Sequence, residues 1–274
     1  MIVAHSRADL IEALDALPRP LGYVPTMGAL HAGHTALIDA ARAAAQSVLV
    51  SIFVNPMQFG ANEDLSTYPR TLDADLELCR AHGADAVWVP GMSDVYPAGA
   101  AQVSVMPGPL GSDLEGAARP THFEGVLTVV AKYFSLIRPT TAFFGEKDYQ
   151  QLTLIRRMVG DLDLGVDVAG VPTVREPDGL ALSSRNVYLD AERRRQALVL
   201  SRALRAGQDA APGGANAAAA AARAMLATEP EVDVSYLEVR AADLGPAPSH
   251  GAARMLVAAR VGSTRLIDNV ALSL

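Results

Sequence analysis

The 274-residue sequence contains a single cysteine, Cys79. An internal disulfide and a cysteine-based metal cluster both need more than one cysteine, so both are excluded. Cationic side chains are also outnumbered by acidic ones. The sequence has 23 lysines and arginines and 30 aspartates and glutamates, which gives a net charge of −7. Since nucleic-acid backbones are bound by clustered cations, this balance argues against nucleic acid as the main partner. A small anionic substrate remains compatible with a local cationic pocket.

Long apolar runs are absent as well. The longest, Ser47–Val54, is far shorter than the roughly 20 apolar residues that cross a bilayer. Residues Met1 to Arg7 contain no apolar segment of the kind found in a secretory signal. Neither a Gly-x-Gly-x-x-Gly fingerprint nor a P-loop occurs, so any nucleotide site would have to depend on another motif. We therefore expect a soluble, cytoplasmic protein that binds neither nucleic acid nor membranes.

The first two-thirds of the chain alternate between short apolar runs and amphipathic helical segments. Apolar runs that are mostly bounded by glycine or proline predict buried strands at Leu21–Val24, Ser47–Val54, Ala86–Val89, Thr141–Phe144 and Val166–Val171. Helices are predicted at His34–Gln46, Leu72–His82 (with Thr71 as its N-cap), His122–Arg138 and Asp148–Val159. This alternation predicts an α/β fold with a Rossmann-like, doubly wound parallel sheet. Ligands of such sheets bind beyond the carboxyl ends of the strands.

The character of the sequence changes after Pro172. A loop-rich stretch is followed by two predicted helices, Asp190–Ala206 and the alanine-rich Asn216–Ala227. The tail contains the segments Val234–Arg240, Met255–Ala259 and Arg265–Val270, which indicate a small mixed α/β unit. We therefore predict two domains, residues 1–172 with the parallel sheet and residues 173–274 as a smaller lid.

The first predicted strand ends in Pro25-Thr26-Met27-Gly28-Ala29-Leu30-His31-Ala32-Gly33-His34. Gly28 allows a tight turn, and His31 and His34 lie three residues apart on the same side of a beginning helix. Helix N-termini favour anions, and a neutral imidazole there can donate a hydrogen bond to phosphate. For one histidine an ordinary side chain is the better interpretation, whereas His-x-Gly-His directly after a strand and turn favours phosphate binding. A metal site is disfavoured because the motif contains no third ligand.

Two further segments could contact a substrate. Gln58, in the run Asn55-Pro56-Met57-Gln58-Phe59-Gly60 after the second predicted strand, can bind a hydroxyl or a carboxylate. A turn or capping role for Gln58 is equally compatible with the pattern. The run Glu115–Phe123 predicts a mobile flap before a long helix. Arg119 in this flap could contact an anion, although a solvated arginine is the ordinary case.

Two charged or hydroxyl-rich loops could bind a nucleotide. Lys147 and Asp148 follow the fourth predicted strand and offer a cation to phosphates and an acceptor to ribose hydroxyls, with Gln151 one helical turn further on. A solvated charged turn is the alternative. The run Leu182-Ser183-Ser184-Arg185-Asn186 suits a polyphosphate, but taken alone an ordinary turn before a helix is the better interpretation.

Taken together, these segments resemble the pantothenate synthetase family over nearly the whole chain. The matching blocks are PTMGALHAGH, SIFVNPMQFG, DLSTYPRTLDAD, RPTHFEGVLTVV, FFGEKDYQQLTLIRRMV and LALSSRN. A wider similarity extends to nucleotidylyl transferases and class I aminoacyl-tRNA synthetases. The resemblance implies a homodimeric ligase of pantothenate biosynthesis that uses ATP with Mg²⁺, (R)-pantoate and β-alanine. It also implies an enzyme-bound pantoyl-adenylate intermediate.

The resemblance further implies the residues of the site. His34 would be the catalytic acid, with His31 and Lys147 also catalytic. Gln58 and Gln151 would bind pantoate, and Gln58 would border the β-alanine site. The implied ATP-binding residues are Met27, Gly28, Ala29, Leu30, His31, Ala32, Gly33, His34, Gly145, Glu146, Lys147, Asp148, Val174, Leu182, Ser183, Ser184 and Arg185.

Two positions depart from the family pattern. The pair Ala74-Asp75 stands where some relatives have two acids, so Asp75 is the candidate metal ligand, and Mg²⁺ would otherwise be held by ATP phosphates. Thr121 stands where many relatives have glycine.

Two other functions are alternatives to this ligase. A nucleotidylyltransferase acting on a phosphorylated acceptor would need additional cations. A non-catalytic ATP-sensing module would need the nucleotide contacts but not both glutamines.

Overall fold

The computed structural model describes residues 1–60 and 65–274, which divide into two compact units. The first unit comprises Met1–Glu146 and Leu154–Pro172, and the second comprises Lys147–Thr153 and Thr173–Leu274. The segment Lys147–Thr153, which the sequence placed in the first domain, therefore groups with the second unit. In the described ranges, no helix combines the length and the apolar character needed to cross a membrane.

The strands of the first unit run parallel to one another. They are β1 (Ile2–Ala4), β2 (Leu21–Thr26), β3 (Ser47–Ile52), β4 (Ala86–Trp88), β5 (Thr141–Gly145) and β6 (Asp167–Val171). Within the described residues they form one sheet in the order β1-β4-β3-β2-β5-β6. The chain order reverses between β2 and β5, and this switch point is where doubly wound sheets bind ligands.

Helices cover both faces of this sheet. They are α1 (Arg7–Ala16), α2 (Ala32–Ala44), α3 (Leu72–Ala81), α4 (Met92–Val95), α5 (Glu115–Ala118), α6 (His122–Ile137) and α7 (Tyr149–Asp161). On one face, Val50 and Phe143 pack with Ile38 of α2. On the other, the Tyr133 ring of α6 lies 6.1 Å from that of Tyr23 and 5.6 Å from that of Trp88, centroid to centroid. Successive strand residues point to opposite faces of the sheet, and the helices bury the side chains on both faces. The predicted doubly wound α/β fold is therefore confirmed.

The second unit is built from two helices and an antiparallel sheet. Its elements are α8 (Ala191–Ala210), α9 (Ala215–Leu226), β7 (Val232–Ala241), β8 (Ala252–Val261) and β9 (Thr264–Ser273). All of residues 173–274 are described, and their three strands lie in the order β7-β8-β9. Met255 and Val257 of β8 pack against Leu200 and Leu204 of α8. The smaller α/β unit is thus confirmed, whereas its role as a lid stays a prediction.

Candidate active site

A tight turn connects β2 to α2 at the switch point of the sheet. Gly28 and Ala29 both adopt left-handed backbone conformations, with φ of +84° and +50°. A Cβ atom on Gly28 would lie 3.1 Å from Oδ2 of Asp75. Thr26 Oγ1 accepts the Gly28 N–H at 3.3 Å and donates to the Ser51 carbonyl at 2.8 Å. Glycine is therefore required at position 28 by the dihedral angle and by the available space.

Asp75 of α3 holds this turn from the side. Its carboxylate is 1 % exposed and accepts the backbone N–H groups of Ala29 at 3.0 Å and Leu30 at 2.8 Å. Thr71 occupies the N-cap position of α3, as predicted, but its hydroxyl donates to Asp75 at 3.1 Å instead of capping the helix. The described part of the chain contains no cluster of three His, Cys, Asp or Glu side chains that could hold a metal ion. The observed contacts thus show Asp75 fixing the turn, whereas its metal-binding role stays a prediction.

His31 and His34 meet at the N-terminus of α2, where their ring centroids lie 4.2 Å apart. His31 is the N-cap residue, and its Nδ1 accepts the Gly33 N–H at 3.1 Å. His34 Nδ1 accepts the His31 N–H at 3.3 Å. A neutral imidazole carries one N–H, so both rings, when neutral, carry it on Nε2. The predicted pairing of the two histidines is confirmed, and both offer an Nε2–H donor of the kind that phosphate oxygens accept.

Gln58 ends a short 3-10 turn, Pro56–Gln58, and is 9 % exposed. Its Oε1 accepts from Asn55 Nδ2 at 3.3 Å, and its Nε2 donates to Met27 Sδ at 2.9 Å. The structure thus brings together Gln58 and Met27, which are both predicted ligand contacts. Asn55 Oδ1 in turn accepts from the Tyr96 hydroxyl at 2.9 Å. Asn55 therefore orients Gln58, a role that the sequence interpretation missed although the Asn-Pro pair is a known turn signal.

The backbone of Gln58 is fixed by residues at the start of α6. His122 Nδ1 lies 2.8 Å from the Gln58 carbonyl oxygen, and His122 Nε2 lies 3.0 Å from Arg119 Nη1. A guanidinium group has donors only, so Nε2 must accept and Nδ1–H must donate. His122 is therefore neutral, in a single tautomer, while it makes both contacts. Arg119 Nη2 also donates to the Gln58 carbonyl, at 3.4 Å.

A glycine allows α6 to approach this turn. A Cβ atom on Gly125 would overlap the Met57 carbonyl group and lie 2.7 Å from the Gln58 nitrogen. The Gly125 carbonyl also accepts a hydrogen bond from Asn55 Nδ2 at 3.2 Å. The position of Gln58 therefore depends on the absence of a side chain at residue 125.

The run Glu115–Phe123 forms a loop only in part, because residues 119–121 make a turn between two helices. Its first part is the helix α5, and a Cβ atom on Gly116 would overlap the Gly111 carbonyl group. Glu115 is 8 % exposed. The prediction of a loop was therefore wrong for Glu115–Ala118, where the absence of a side chain at Gly116 lets a helix pack closely, and the mobility of the flap stays a prediction. Thr121, where glycine was expected, adopts a left-handed conformation with φ of +69°.

In the second unit, Lys147 lies in the 3-10 turn Glu146–Asp148, and its chain segment is anchored to the antiparallel sheet. Asn269 Nδ2 donates to the Lys147 carbonyl at 2.9 Å, and Asn269 Oδ1 accepts from Arg254 Nε at 2.7 Å. The Arg254 guanidinium lies 3.9 Å from the centre of the Tyr149 ring. Lys147 Nζ approaches Asp148 Oδ2 to 3.7 Å. The backbone of this segment is thus held by side chains of β8 and β9.

The predicted residues Val174 and Leu182 are paired across a short hairpin, where the Leu182 N–H donates to the Val174 carbonyl at 3.0 Å. Ser183 follows and caps the 3-10 turn Ser184–Tyr188, with its Oγ accepting the Arg185 N–H at 3.3 Å. The structure therefore groups Val174, Leu182, Ser183, Ser184 and Arg185 in one segment. The hairpin is tied to β9, because Arg175 binds Asp268 with two hydrogen bonds of 2.6 and 2.9 Å.

A salt bridge to α8 holds the tip of the same hairpin. Arg194 donates to Glu176 at 3.1 and 2.7 Å and to Asp178 at 2.7 Å. These hydrogen bonds hold the pKa of Glu176 below its ordinary value. The remaining predicted residues are distributed between the units. In the first unit, Gly145 ends β5 and Glu146 follows it, and in the second, Gln151 lies in the first turn of α7.

Cys79 takes no part in this chemistry. The thiol is fully buried on α3, and burial, followed by the nearby charge of Asp75, raises the pKa of Cys79 to about 12. The side chain packs among apolar residues of α2 and the sheet. Cys79 is therefore part of the core.

A doubly wound parallel sheet with paired histidines at a helix N-terminus defines the class of Rossmann-like enzymes that act on a nucleotide. Comparison with known proteins identifies the family. A family model described as pantoate-β-alanine ligase matches residues 3–271. The chain belongs to the pantoate-β-alanine ligase family. It is a ligase of pantothenate biosynthesis that joins pantoate to β-alanine.

Individual relatives agree with this assignment over nearly the full length. A pantothenate synthetase of Nocardia farcinica is 60% identical over 277 residues, which cover 100% of this chain and 87% of the relative. The structure of pantothenate synthetase from Thermus thermophilus is 48% identical, with a TM-score of 0.92 over 98% of this chain and 99% of that one. Pantoate-β-alanine ligase from Francisella tularensis, complexed with β-γ ATP and β-alanine, is 34% identical, with a TM-score of 0.82 over 98% and 97%.

Proposed function

We propose that the reaction proceeds through an enzyme-bound pantoyl-adenylate. A carboxylate oxygen of (R)-pantoate attacks the α-phosphorus of ATP, and diphosphate leaves with the electron pair of the broken P–O bond. The neutral amine of β-alanine then attacks the acyl carbon, loses a proton, and AMP leaves with the carboxylate oxygen. The two reactants of the first step are both anions, so the protein must supply positive charge, hydrogen-bond donors and alignment rather than a covalent nucleophile.

The paired histidines carry this proposal. Because both Nδ1 atoms accept backbone N–H groups, His31 and His34 in their neutral form present Nε2–H donors at the N-terminus of α2. Donors placed there strengthen as negative charge develops on a leaving diphosphate. We assign ATP binding to the turn from Met27 to His34, with His34 as the catalytic acid. Lys147 is assigned a cationic role toward the phosphates, and the resemblance assigns further ATP contacts to the segments 145–148, 174 and 182–185.

Gln58 and Gln151 are the proposed pantoate contacts, and Gln58 also borders the proposed β-alanine site. The Gln58 amide is uncharged and buried, and its carbonyl oxygen and nitrogen are oriented by Asn55 and Met27. An amide suits a hydroxy acid because it offers both a donor and an acceptor to the substrate. A phosphorylated acceptor would call for cations instead, which favours pantoate over the acceptor of a nucleotidylyltransferase.

Mg²⁺ is proposed to arrive with ATP. The described side chains form no group of three metal-binding residues, and both oxygens of Asp75 accept hydrogen bonds from the protein. The protein residues therefore do not fit a resident metal site, whereas Mg²⁺ commonly binds to the phosphates of its nucleotide and to water. We also propose, from the resemblance, a homodimer in the cytoplasm, where ATP is available; light scattering of the purified protein tests the dimer.

Isotope experiments test the intermediate. With pantoate and ATP but without β-alanine, the enzyme is expected to exchange labelled diphosphate into ATP. With pantoate labelled by ¹⁸O in its carboxylate, one labelled oxygen is expected to leave in AMP. If diphosphate exchange required β-alanine, adenylation would not be a separate first step. If the AMP carried no ¹⁸O, the pantoyl-adenylate would be refuted. Exchange without pantoate would indicate a nucleotide activity of another kind.

Single-turnover measurements of adenylation test the side chains. His34→Ala and Lys147→Ala are each expected to lower its rate by on the order of 10²–10³, the scale for losing one transition-state donor. His82→Ala is a matched control, because His82 is the C-cap residue that follows α3 and lies 2.7 Å from Asp39, outside the proposed ATP turn Met27–His34. A near-normal rate in either test variant removes that residue from the proposed mechanism.

A further inference from the structure

We propose that Asp75 is a positioning residue that fixes the His31–His34 turn for ATP, and that it does not bind the metal ion. The proposal rests on the proposed function in one respect, namely that this turn binds the phosphates of ATP. The residue lies on α3, and its carboxylate crosses to the loop that follows β2.

Both oxygens of the carboxylate already accept hydrogen bonds from the protein. Oδ2 accepts the Ala29 N–H at 3.0 Å, and Oδ1 accepts both the Leu30 N–H at 2.8 Å and the Thr71 hydroxyl at 3.1 Å. The residue is 1 % exposed. Mg²⁺ demands short, near-octahedral contacts and keeps several of its waters, so it needs a ligand that solvent can approach. A Mg²⁺ ion at Asp75 would compete with the hydrogen bonds that hold the turn.

The turn has a backbone that needs an external anchor. Ala29 adopts a φ of +50°, a conformation that L-residues avoid because Cβ then approaches the next carbonyl oxygen. Such conformations persist where surrounding contacts hold them. The two N–H groups bound by Asp75 belong to Ala29 and Leu30, which lie directly between Gly28 and the N-cap residue His31. Asp75 therefore sets the direction in which the chain enters the histidine pair.

Calorimetric titration with ATP, once with Mg²⁺ and once with EDTA, distinguishes positioning from metal binding. In Asp75→Asn, an amide N–H group must face a backbone N–H group that now lacks an acceptor. We expect roughly tenfold weaker ATP binding in both buffers, since a buried donor is left unsatisfied. Asp73→Asn is the matched control, because Asp73 is an exposed acid in the same first turn of α3, and its ATP affinity is expected to be unchanged. A loss confined to the Mg²⁺ buffer would show metal binding and overturn the proposal.

Hydrogen exchange of the ligand-free enzyme tests the anchor without ATP. In Asp75→Asn, the peptide that contains residues 28–34 is expected to exchange faster, while Asp73→Asn exchanges like the wild type. Unchanged protection would overturn the positioning role. Faster exchange together with unchanged ATP affinity would instead refute the phosphate-binding role of the turn, which separates the two failures.

A milder variant keeps the test decisive if Asp75→Asn does not fold. Thr71→Val preserves the shape of the side chain and the carboxylate charge but removes one of the three donors to Asp75. We expect ATP binding about two- to fivefold weaker in both buffers, a smaller effect since only a hydroxyl contact is lost. Wild-type affinity together with wild-type exchange of residues 28–34 in this variant would overturn the proposal.

Discussion

Replacing Gly125 by alanine should displace Gln58, although residue 125 is not itself a proposed ligand contact. The new Cβ atom would overlap the Met57 carbonyl group and lie 2.7 Å from the Gln58 nitrogen, whereas real Cβ contacts are essentially never shorter than 3.0 Å. These neighbours are backbone atoms, which cannot rotate away as a side chain would. The 3-10 turn Pro56–Gln58 must therefore shift by at least 0.3 Å at the Gln58 nitrogen and further at Met57.

The substitution should change both the free energy of unfolding and kcat/KM. Two opposing contributions set the change in the free energy of unfolding. Overpacking costs about 1–3 kcal/mol, and replacing glycine by alanine within a helix returns about 1 kcal/mol, so a net destabilisation of roughly 0–2 kcal/mol remains. A misplacement of about 1 Å can lower catalysis by about 10²-fold, so a shift of a few tenths of an ångström corresponds to roughly tenfold in kcat/KM. We expect this loss in kcat/KM for pantoate, with the affinity for ATP nearly unchanged.

Steady-state kinetics with pantoate as the varied substrate and thermal unfolding measure the two quantities. Gly160→Ala is the control, because Gly160 is an exposed glycine of α7 with nothing within 4 Å of an added Cβ. That variant should be as active as the wild type and equally stable or slightly more stable. If Gly125→Ala behaved in the same way, the turn would tolerate the side chain, and the argument that α6 positions Gln58 would fail.

The remaining predictions concern three other features. Gln58→Ala should weaken pantoate binding and leave ATP affinity largely unchanged in calorimetric titrations; an equal loss for both ligands would contradict its assignment. Because burial raises the pKa of Cys79 to about 12, the thiol should resist iodoacetamide at pH 8 in the native enzyme and react once guanidinium unfolds it; native-state labelling would speak against a core role. Arg194→Met should lower the free energy of unfolding by about 0.5 kcal/mol at pH 7, the scale of a salt bridge that solvent still reaches. Since the pKa of Glu176 is depressed in the folded state, this contribution is present above the ordinary glutamate pKa of about 4.3 and is lost as the pH falls through the lower folded value. Unfolding curves at pH 7 and pH 3 measure it, and an equal difference at both pH values would refute the ionic origin.

The parallel sheet could be predicted because its strands are buried on both faces and therefore read as continuous apolar runs. The run Ser47–Val54 illustrates this, since β3 occupies Ser47–Ile52 within it. The edge strand β1 was missed, because Ile2–Ala4 is only three residues long and its first residue is exposed. Helix α1 was also missed, although Ser6 and Asp9 form a capping box that a local search could have found.

The site was predictable only where its parts are neighbours in the sequence. His31 and His34 are three residues apart, so their meeting at a helix N-terminus follows from local geometry. Asp75 lies 46 residues from Ala29, and His122 lies 64 residues from Gln58, yet each pair is joined by a hydrogen bond. No pattern in a single sequence encodes such distant partners. The metal-binding prediction for Asp75 came from the resemblance at Ala74-Asp75, which does not reveal the backbone N–H groups that its oxygens accept.

The buried position of Trp88 makes the two units separable by spectroscopy. It is the one tryptophan of the sequence, it lies in β4 of the first unit, and its ring packs against Tyr133. Fluorescence excited selectively in the indole band therefore follows the parallel sheet alone, whereas far-ultraviolet circular dichroism sums the helices and strands of both units. Denaturation curves that superimpose would show a single cooperative transition, and curves that diverge would give a separate midpoint for residues 173–274.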